Sequence, residues 1–261
     1  MAVILEGGCR VSEMREGEPL TEGTLRIWNQ IGRDTGAQAI SLRIMEFAPG
    51  LSPTLRNEEC DEILYLVGSE RGDPVRAEIF VNVGSCDIGP DTGIYIRPGE
   101  SFSLDNPGPR SIVLISARCP DPNRRPQFIH ATTIASESSP LEPPPIVCLG
   151  DRPAQSTADR WYRVLVDDQV GSTQATQFVG SIPPGRAPDH FHQYEEVLFI
   201  LQGRGRMWAG ETHSPIGPGS CIYLPKGQVH CVENTGSDHL RLLGVFCPAG
   251  SPSVRYDVQP S

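Results

Sequence analysis

Apolar and polar residues alternate along several short stretches of the chain. AISLRIMEF (residues 39–47), SIVLISA (111–117) and EEVLFIL (195–201) each follow a period of about two, which is typical of β-strands whose side chains point alternately to the two faces of a sheet. Turn sequences rich in glycine and proline separate such stretches about every ten residues. Because no amphipathic segment longer than two helical turns stands out, we predict an all-β fold, a sandwich or a barrel.

The chain also repeats itself. Residues 88–120 align without a gap with residues 216–248, at an offset of 128, and 11 of the 33 aligned positions are identical, where chance gives about two. Farther upstream, residues 36–50 match residues 171–185 at an offset of 135. The repeat indicates a duplicated domain.

Proline, serine and aspartate are frequent between the two copies, and no long periodicity runs through this part of the chain. We therefore predict a surface linker over residues 121–153, which is able to pair with a sheet edge. The first domain is then residues 1–120, and the second is residues 154–261.

The net charge of −10 argues against nucleic acid as a partner, because nucleic-acid binding needs a basic surface. No run of about 18 apolar residues offers a transmembrane helix, and the start of the chain lacks the basic and apolar regions of a signal peptide. We therefore expect a cytoplasmic protein without a membrane partner. In that compartment the eight cysteines, none of them in a Cys-x-x-Cys pair, are expected to be free thiols.

Four residues of the second copy have the chemistry of metal ligands. His190 and His192 are two apart, so that on a strand they point to one face, and Glu196 follows four residues later. His230 lies 40 residues after His190. Three imidazoles and a carboxylate suit one divalent transition metal, such as Fe, Mn, Ni, Co or Zn. Four protein ligands also leave two positions of an octahedral ion open for a substrate.

Around these residues the sequence resembles the cupin superfamily. The family's first motif, G-x5-H-x-H-x3/4-E-x6-G, is matched from His190 to Gly203, except that four residues instead of five separate Gly185 from His190. Its second motif, G-x5-P-x-G-x2-H-x3-N, is complete at Gly219, Pro225, Gly227, His230 and Asn234. The resemblance covers both copies. It implies two tandem cupin barrels of the jelly-roll type, with the metal held in the second by His190, His192, Glu196 and His230.

The resemblance also implies a metalloenzyme that acts on a small organic molecule. Cupins with this ligand set include dioxygenases, decarboxylases, isomerases and hydrolases. The first interpretation is a non-haem iron-type dioxygenase, because dioxygenases are numerous among them. The alternatives are a non-oxidative metal-dependent isomerase, decarboxylase or hydrolase, and a metal-assisted binding protein without turnover. A small-molecule substrate is the expected partner, and a homodimer is compatible with the sequence.

The first copy lacks the histidines. Aligning its stretch LRNEECDEILYLVG with the metal motif of the second copy leaves a different set at the four ligand positions, namely Arg56, Glu58, Glu62 and Phe102. A guanidinium is not a metal ligand, and buried charges need pairing. We therefore expect Arg56 to pair with Glu58 or Glu62 in the space that a metal would take. We predict no metal in this barrel, whose role is then structural or, alternatively, the binding of a ligand without metal.

Overall fold

β-Strands make up nearly all the regular structure. The computed structural model of the protein describes residues 1–57, 59–68, 76–82, 84–129, 146–157, 160–253 and 256–257. Within them, four short 3-10 helices accompany the strands, at Glu6–Gly8, Arg33–Thr35, Leu149–Asp151 and Asp168–Val170. The predicted all-β fold is confirmed. No helix in these ranges is long and apolar enough to cross a membrane.

The strands follow one another along the described residues in two series. The first series is β1 (Val3–Ile4), β2 (Arg10–Glu13), β3 (Leu20–Glu22), β4 (Leu25–Ile31), β5 (Ser41–Phe47), β6 (Gly50–Leu51), β7 (Thr54–Arg56), β8 (Asp61–Leu66), β9 (Ala77–Val81), β10 (Gly84–Ile88), β11 (Thr92–Ile96), β12 (Ser101–Asn106), β13 (Ile112–Cys119) and β14 (Gln127–Ile129). The second series is β15 (Ile146–Cys148), β16 (Gln155–Thr157), β17 (Arg160–Val166), β18 (Thr176–Ile182), β19 (Gly185–Arg186), β20 (His190–Phe191), β21 (Glu195–Gln202), β22 (Gly205–Ala209), β23 (Thr212–Ile216), β24 (Ser220–Leu224), β25 (His230–Asn234), β26 (Leu240–Cys247) and β27 (Tyr256–Asp257).

These strands form four antiparallel sheets. Two large sheets lie back to back at the centre of the molecule, a seven-stranded sheet in the order β15-β11-β8-β13-β5-β4-β3 and an eight-stranded sheet in the order β1-β2-β24-β21-β26-β18-β17-β16. A six-stranded sheet faces each of them and completes a barrel. The first barrel is completed by β10-β9-β12-β7-β14 with β6, and the second barrel is completed by β23-β22-β25-β20-β27 with β19.

The central strands are buried on both faces. Every residue of β8 is buried, but Ile63 and Tyr65 belong to a core between the two barrels, whereas Leu64 belongs to the core inside the first barrel. In β21, likewise, Val197 packs between the barrels and Leu198 packs inside the second barrel. The strand period of two therefore assigns alternate residues of one strand to two different cores.

Strand pairing does not follow chain order throughout. β2 pairs with β24 of the second barrel, with Val11 opposite Ile222. β14 and β15, from the stretch between the copies, pair with β7 and β11 of the first barrel. The division of the chain at residues 120 and 153 stays a prediction. The pairings add that the start of the chain contributes two strands to the sheet of the second barrel.

One buried carboxylate of each barrel accepts hydrogen bonds from a loop of the other barrel. Glu195 of the second barrel accepts hydrogen bonds from the backbone N–H groups of Gln38 and Ala39, at 2.9 and 2.6 Å, and from the Tyr223 hydroxyl at 2.7 Å. The duplication repeats this arrangement at the other end of the contact, where Asp61 accepts from Thr173, Gln174 and Tyr95. Hydrogen bonds to a charged acceptor contribute about 1.5–3 kcal/mol each. The two carboxylates therefore hold the barrels in one relative orientation.

One prediction about the cysteines is wrong. Cys119 and Cys247 form a disulfide, with 6.2 Å between their Cα atoms, within the core between the barrels. The other six cysteines are free thiols. The bonded pair is separated by 128 residues, which is also the offset of the repeat, so the two cysteines hold equivalent positions of the two copies. Only the back-to-back packing of the barrels brings those positions together.

Replacing Cys119 with serine is expected to lower the free energy of unfolding by about 2–4 kcal/mol, because the disulfide closes a long loop in the unfolded chain. Denaturant unfolding with and without dithiothreitol measures the effect. Dithiothreitol should lower the free energy of unfolding of the wild type and leave that of Cys119→Ser unchanged. Titration of the unreduced, denatured wild type should give six thiols. A count of eight, with equal stability of the two proteins, would contradict the disulfide.

Candidate metal centre

Three histidine rings meet inside the second barrel. His190 on β20 lies opposite His230 on the neighbouring β25, and His192 follows two residues after His190. One ring nitrogen of each histidine lies within 4.8 Å of the others, and the ring centroids are 4.6 to 5.2 Å apart. The structure thus brings together the three histidines that the sequence motifs indicate.

Backbone carbonyls orient two of these rings. Nδ1 of His190 lies 3.0 Å from the carbonyl oxygen of Pro188, and Nδ1 of His230 lies 2.8 Å from the carbonyl oxygen of Gln228. Since a carbonyl oxygen only accepts hydrogen bonds, each Nδ1 carries a proton, and in the neutral form of each ring Nε2 therefore keeps its lone pair. This is the tautomer in which a histidine coordinates a metal through Nε2.

Glu196, the fourth predicted ligand, lies beside one of the three rings, that of His192, and is not part of the group of ligand atoms that lie within 4.8 Å of one another. Its Oε2 atom is 3.5 Å from Nε2 of His192, and its side chain is buried. Burial raises the pKa of this carboxyl group to about 8, because a charged carboxylate is poorly solvated inside the barrel. A cation in the middle of the group would offset that cost.

Packing and a motif glycine hold His192 in place. The ring of Tyr194 stacks on His192, with centroids 4.6 Å apart and planes inclined by 9°, and also on Phe246, at 4.4 Å and 20°. The backbone N–H of Gly227 donates a hydrogen bond of 2.8 Å to the carbonyl oxygen of His192. Gly227 has a φ of +79°, a conformation that favours glycine. The turn before His230 is thereby tied to the segment between β20 and β21 that carries His192.

The four residues line a cavity of about 140 Å³. Aromatic and aliphatic side chains form most of the remaining wall, namely Trp161, Tyr162, Phe178, Tyr194, Leu198, Leu224, Val232 and Leu242. Arg160, at the start of β17, is the one arginine or lysine among the described lining residues. The sequence analysis missed Arg160 because no motif surrounds it, and only the pairing of β17 with β18 brings it to the cavity.

The donor set fits a divalent transition metal ion. Burial, reinforced by the neighbouring His190, lowers the pKa of His230 to about 3, so this imidazole is neutral near pH 7, as a ligand must be. The carboxyl group of Glu196 would supply the negative charge once a bound cation lowers its raised pKa and it loses its proton. A divalent metal is therefore the cofactor for which this site is built. The assignment of His190, His192, Glu196 and His230 as its individual ligands is a proposal.

The structure corrects one of the positions assigned to the first barrel. Phe102 lies opposite Leu55 on β7, as His230 lies opposite His190, so Leu55 and not Arg56 takes the place of His190. Leu55 is buried in the core of the barrel, whereas Arg56 is exposed. The cause is the loop between β7 and β8, which is one residue longer than its counterpart, so that an alignment without a gap is shifted by one position.

Glu62 keeps the position of Glu196 but has different surroundings. Its carboxylate accepts a hydrogen bond from the guanidinium of Arg43 and another, of 2.7 Å, from the Ser116 hydroxyl. We expected Arg56 to pair with Glu62 or Glu58; the buried partner of Glu62 is Arg43, and Glu58 lies outside the described residues. The absence of a metal from this barrel stays a prediction, favoured by the apolar side chains of Leu55 and Phe102.

Replacing His230 with alanine is expected to abolish metal retention, because the change removes one of three ring nitrogens that meet at the centre. Elemental analysis of purified protein should find about one transition metal per wild-type chain and none in His230→Ala. The matched control is His213→Ala, which removes an exposed histidine that stacks on Trp208 and should leave the metal content unchanged. Equal metal in both variants would contradict the site.

Adjacent glutamates on opposite faces of β21 allow a sharper comparison. Glu196→Gln keeps the shape of the side chain but removes its charge, and should weaken metal affinity by at least about tenfold. Glu195→Gln should leave metal affinity unchanged and lower the free energy of unfolding by about 1–3 kcal/mol, because its contacts reach the other barrel. Metal titration and denaturant unfolding of both variants measure the two effects. The reverse pattern would mean that the faces are wrongly assigned.

Known proteins match this chain in sequence and in fold. The cupin domain family model matches residues 178–246. Auxin-binding protein 1 of Arabidopsis thaliana is 36% identical over 24% of this chain and 37% of its own length. An oxalate-binding protein of Thermotoga maritima is 34% identical over 25% of this chain and 55% of its own length. Each match thus spans less than two thirds of the relative.

A solved structure covers nearly the whole chain. A mutant of Bacillus subtilis oxalate decarboxylase superposes with a TM-score of 0.74 over 95% of this chain and 79% of that chain, at 13% sequence identity. At this identity the similarity shows the fold alone, and that fold has the two barrels described above. The cupin domain match itself lies in the second barrel, at residues 178–246, whereas the similarity in fold extends over 95% of this chain.

Proposed function

We propose that the chain is a metal-dependent enzyme that converts a small carboxylate without net oxidation, with decarboxylation as the leading reaction class. One observation carries the proposal. Three histidine rings and a buried glutamate meet at a small, mostly apolar cavity, and an arginine lines the same cavity.

The cavity restricts the substrate to a small molecule. Its volume of about 140 Å³ is well below the ~300–1,000 Å³ of common ligand pockets. The guanidinium of Arg160 matches a carboxylate in geometry and in charge. The apolar walls strengthen this attraction, because they lower the local dielectric constant. A small carboxylate therefore satisfies the size, the charge and the polarity of the cavity.

The chain contributes orientation and exclusion of water. Backbone carbonyls hold the rings of His190 and His230, and the stack of His192, Tyr194 and Phe246 limits rotation of the third ring. When bound, the metal ion would act as a Lewis acid that polarises an oxygen atom of the substrate. Arg160 would hold a carboxylate group of the substrate, so that the molecule has one orientation in the cavity.

The comparisons support the non-oxidative alternative better than the dioxygenase that the family resemblance put first. The solved structure with the same two-barrel fold is an oxalate decarboxylase. One curated relative is named for binding oxalate, a small dicarboxylate of the size that the cavity admits. We therefore place decarboxylation ahead of oxygenation.

A second candidate is a protein that binds a small carboxylate and does not convert it. It is favoured by the names of two of the curated relatives, which are a binding protein for auxin and one for oxalate. Its site would be the same cavity, with the metal and Arg160 serving affinity alone. Turnover is thus the property that separates the two candidates.

The proposed reaction is tested with metal-loaded protein and a panel of oxalate, malonate and glyoxylate, in which CO₂ release and O₂ uptake are recorded separately. We expect CO₂ release without stoichiometric O₂ uptake, and none of it in His230→Ala. O₂ uptake equal to the substrate consumed would overturn the proposal in favour of a dioxygenase. Saturable binding with neither gas exchanged would favour the binding protein.

The contribution of Arg160 is tested with a matched pair on one strand. Arg160→Gln should raise KM for the carboxylate by at least about tenfold, because it removes the cation of the cavity. Arg163→Gln should not, since Arg163 does not line the cavity and donates a hydrogen bond of 2.9 Å to the Leu149 carbonyl. Equal KM values for the two variants would remove Arg160 from the substrate site.

A further inference from the structure

The first barrel has a cavity of its own, with a volume of about 610 Å³. Five arginines line it, namely Arg33, Arg43, Arg118, Arg124 and Arg125. Three acidic residues also line it, namely Glu18, Asp34 and Asp121. In a chain with a net charge of −10, a concave surface with excess positive charge opposes the overall field and concentrates anions.

Two of these arginines stand where the second barrel has aromatic rings. Arg43 lies opposite Ser116, and Arg118 lies opposite Glu62. The equivalent strand pairs of the second barrel are Phe178 with Gly244 and Phe246 with Glu196. There, a Cβ atom added to Gly244 would lie 2.3 Å from the ring of Phe178, so the glycine makes room for the ring. The metal barrel thus has apolar walls at the positions where the first barrel has two guanidinium groups.

Both of these guanidinium groups are buried, since Arg43 is 3% exposed and Arg118 is 8% exposed. Buried charges are costly unless they are paired. The partners are Glu62 and Ser116 for Arg43, and Asp121 and Ser41 for Arg118. A guanidinium has five N–H donors, and among the described residues no acceptor reaches the Nη1 atom of either arginine.

The positive charges also act on one another. Burial and then the charge of Arg43 lower the pKa of Arg118 to about 10. At the edge of the cavity, Arg33 and Arg125 are exposed, and Arg124 forms an ion pair of 3.1 Å with Glu59. If the adjoining small pocket with Arg56, Glu59 and Glu62 is counted as well, positive charges still exceed negative ones. An anion in the cavity would offset that excess.

We propose that this cavity binds a small carboxylate anion, held by the guanidinium groups of Arg43 and Arg118. The Nη1 atom of each guanidinium has no acceptor among the described residues, so each arginine has N–H groups left to donate to an oxygen of a carboxylate. The cavity volume lies within the range of about 300–1,000 Å³ for ligand sites. The site is separate from the metal centre, and the proposal does not depend on the reaction proposed above. It gives the first barrel a ligand of its own.

The test uses the full chain with the change His230→Ala, so that the metal centre does not contribute to binding. Oxalate, malonate and succinate are titrated separately by calorimetry at low ionic strength, and inorganic phosphate is the comparison anion. We expect one carboxylate to bind per chain, with an affinity that falls as salt is added.

Three further variants, each combined with His230→Ala, locate the site. Arg118→Lys keeps a charge beside Asp121 but loses the planar fork, and should weaken binding by at least about tenfold. The double change Arg33→Gln and Arg125→Gln alters exposed positions only and should weaken carboxylate binding several-fold. If Arg118→Lys does not fold, this double variant alone tests whether the arginines bind the carboxylate. Arg204→Gln, an exposed arginine of the second barrel, is the control and should bind like its parent.

Two results would overturn the proposal. One is a failure to find the site, either because none of the three carboxylates binds at millimolar concentration or because both Arg118→Lys and the double change leave binding unchanged. The other is that phosphate binds more tightly than every carboxylate, which would make the cavity a phosphate site. The proposal is supported if Arg118→Lys and the double change weaken carboxylate binding and Arg204→Gln leaves it unchanged. Because the metal centre is disabled throughout, these results are independent of the proposed enzyme reaction.

Discussion

The burial of the central strands on both faces is the constraint on which the rest of the structure depends. Glu195 and Glu196 are adjacent and chemically alike, yet one accepts hydrogen bonds from Gln38 and Ala39 of the other barrel, while the other lies 3.5 Å from His192. A slip of one residue in the register of β21 would exchange their positions. The packing of barrel against barrel therefore determines which carboxylate reaches the metal centre.

The same constraint lets the two interiors differ. The side chains that face the contact between the barrels form one continuous core with matching contributions from both copies. A substitution at this contact in one copy therefore alters the packing of the other copy. The interior positions face only their own barrel. One copy has Phe178 and Phe246 around its histidines, and the other has Arg43 and Arg118 at the equivalent strand positions. Duplication thus preserved the contact and left two separate interiors, which we propose bind their ligands through different groups, a metal ion in one barrel and guanidinium groups in the other.

How much of this was predictable depends on the range of the contacts involved. The period of two predicted the strands, and the spacing of His190, His192 and His230 within the motifs predicted the cluster, because short segments determine both. The assignment of Arg56 failed because the length of one loop shifts the register by a residue, which only the pairing of Phe102 with Leu55 reveals. The disulfide and the place of Arg160 depend on how distant strands pack, and no local pattern encodes that.

We propose that only one of the two similar barrels binds a metal ion, and that this is the second barrel. Anomalous diffraction at the absorption edge of the bound metal, from crystals of the metal-loaded protein, tests it most directly. We predict a single strong peak among the ring nitrogens of His190, His192 and His230, with the carboxylate of Glu196 beside it. A peak next to Phe102 in the first barrel, or none among the three histidines, would contradict it.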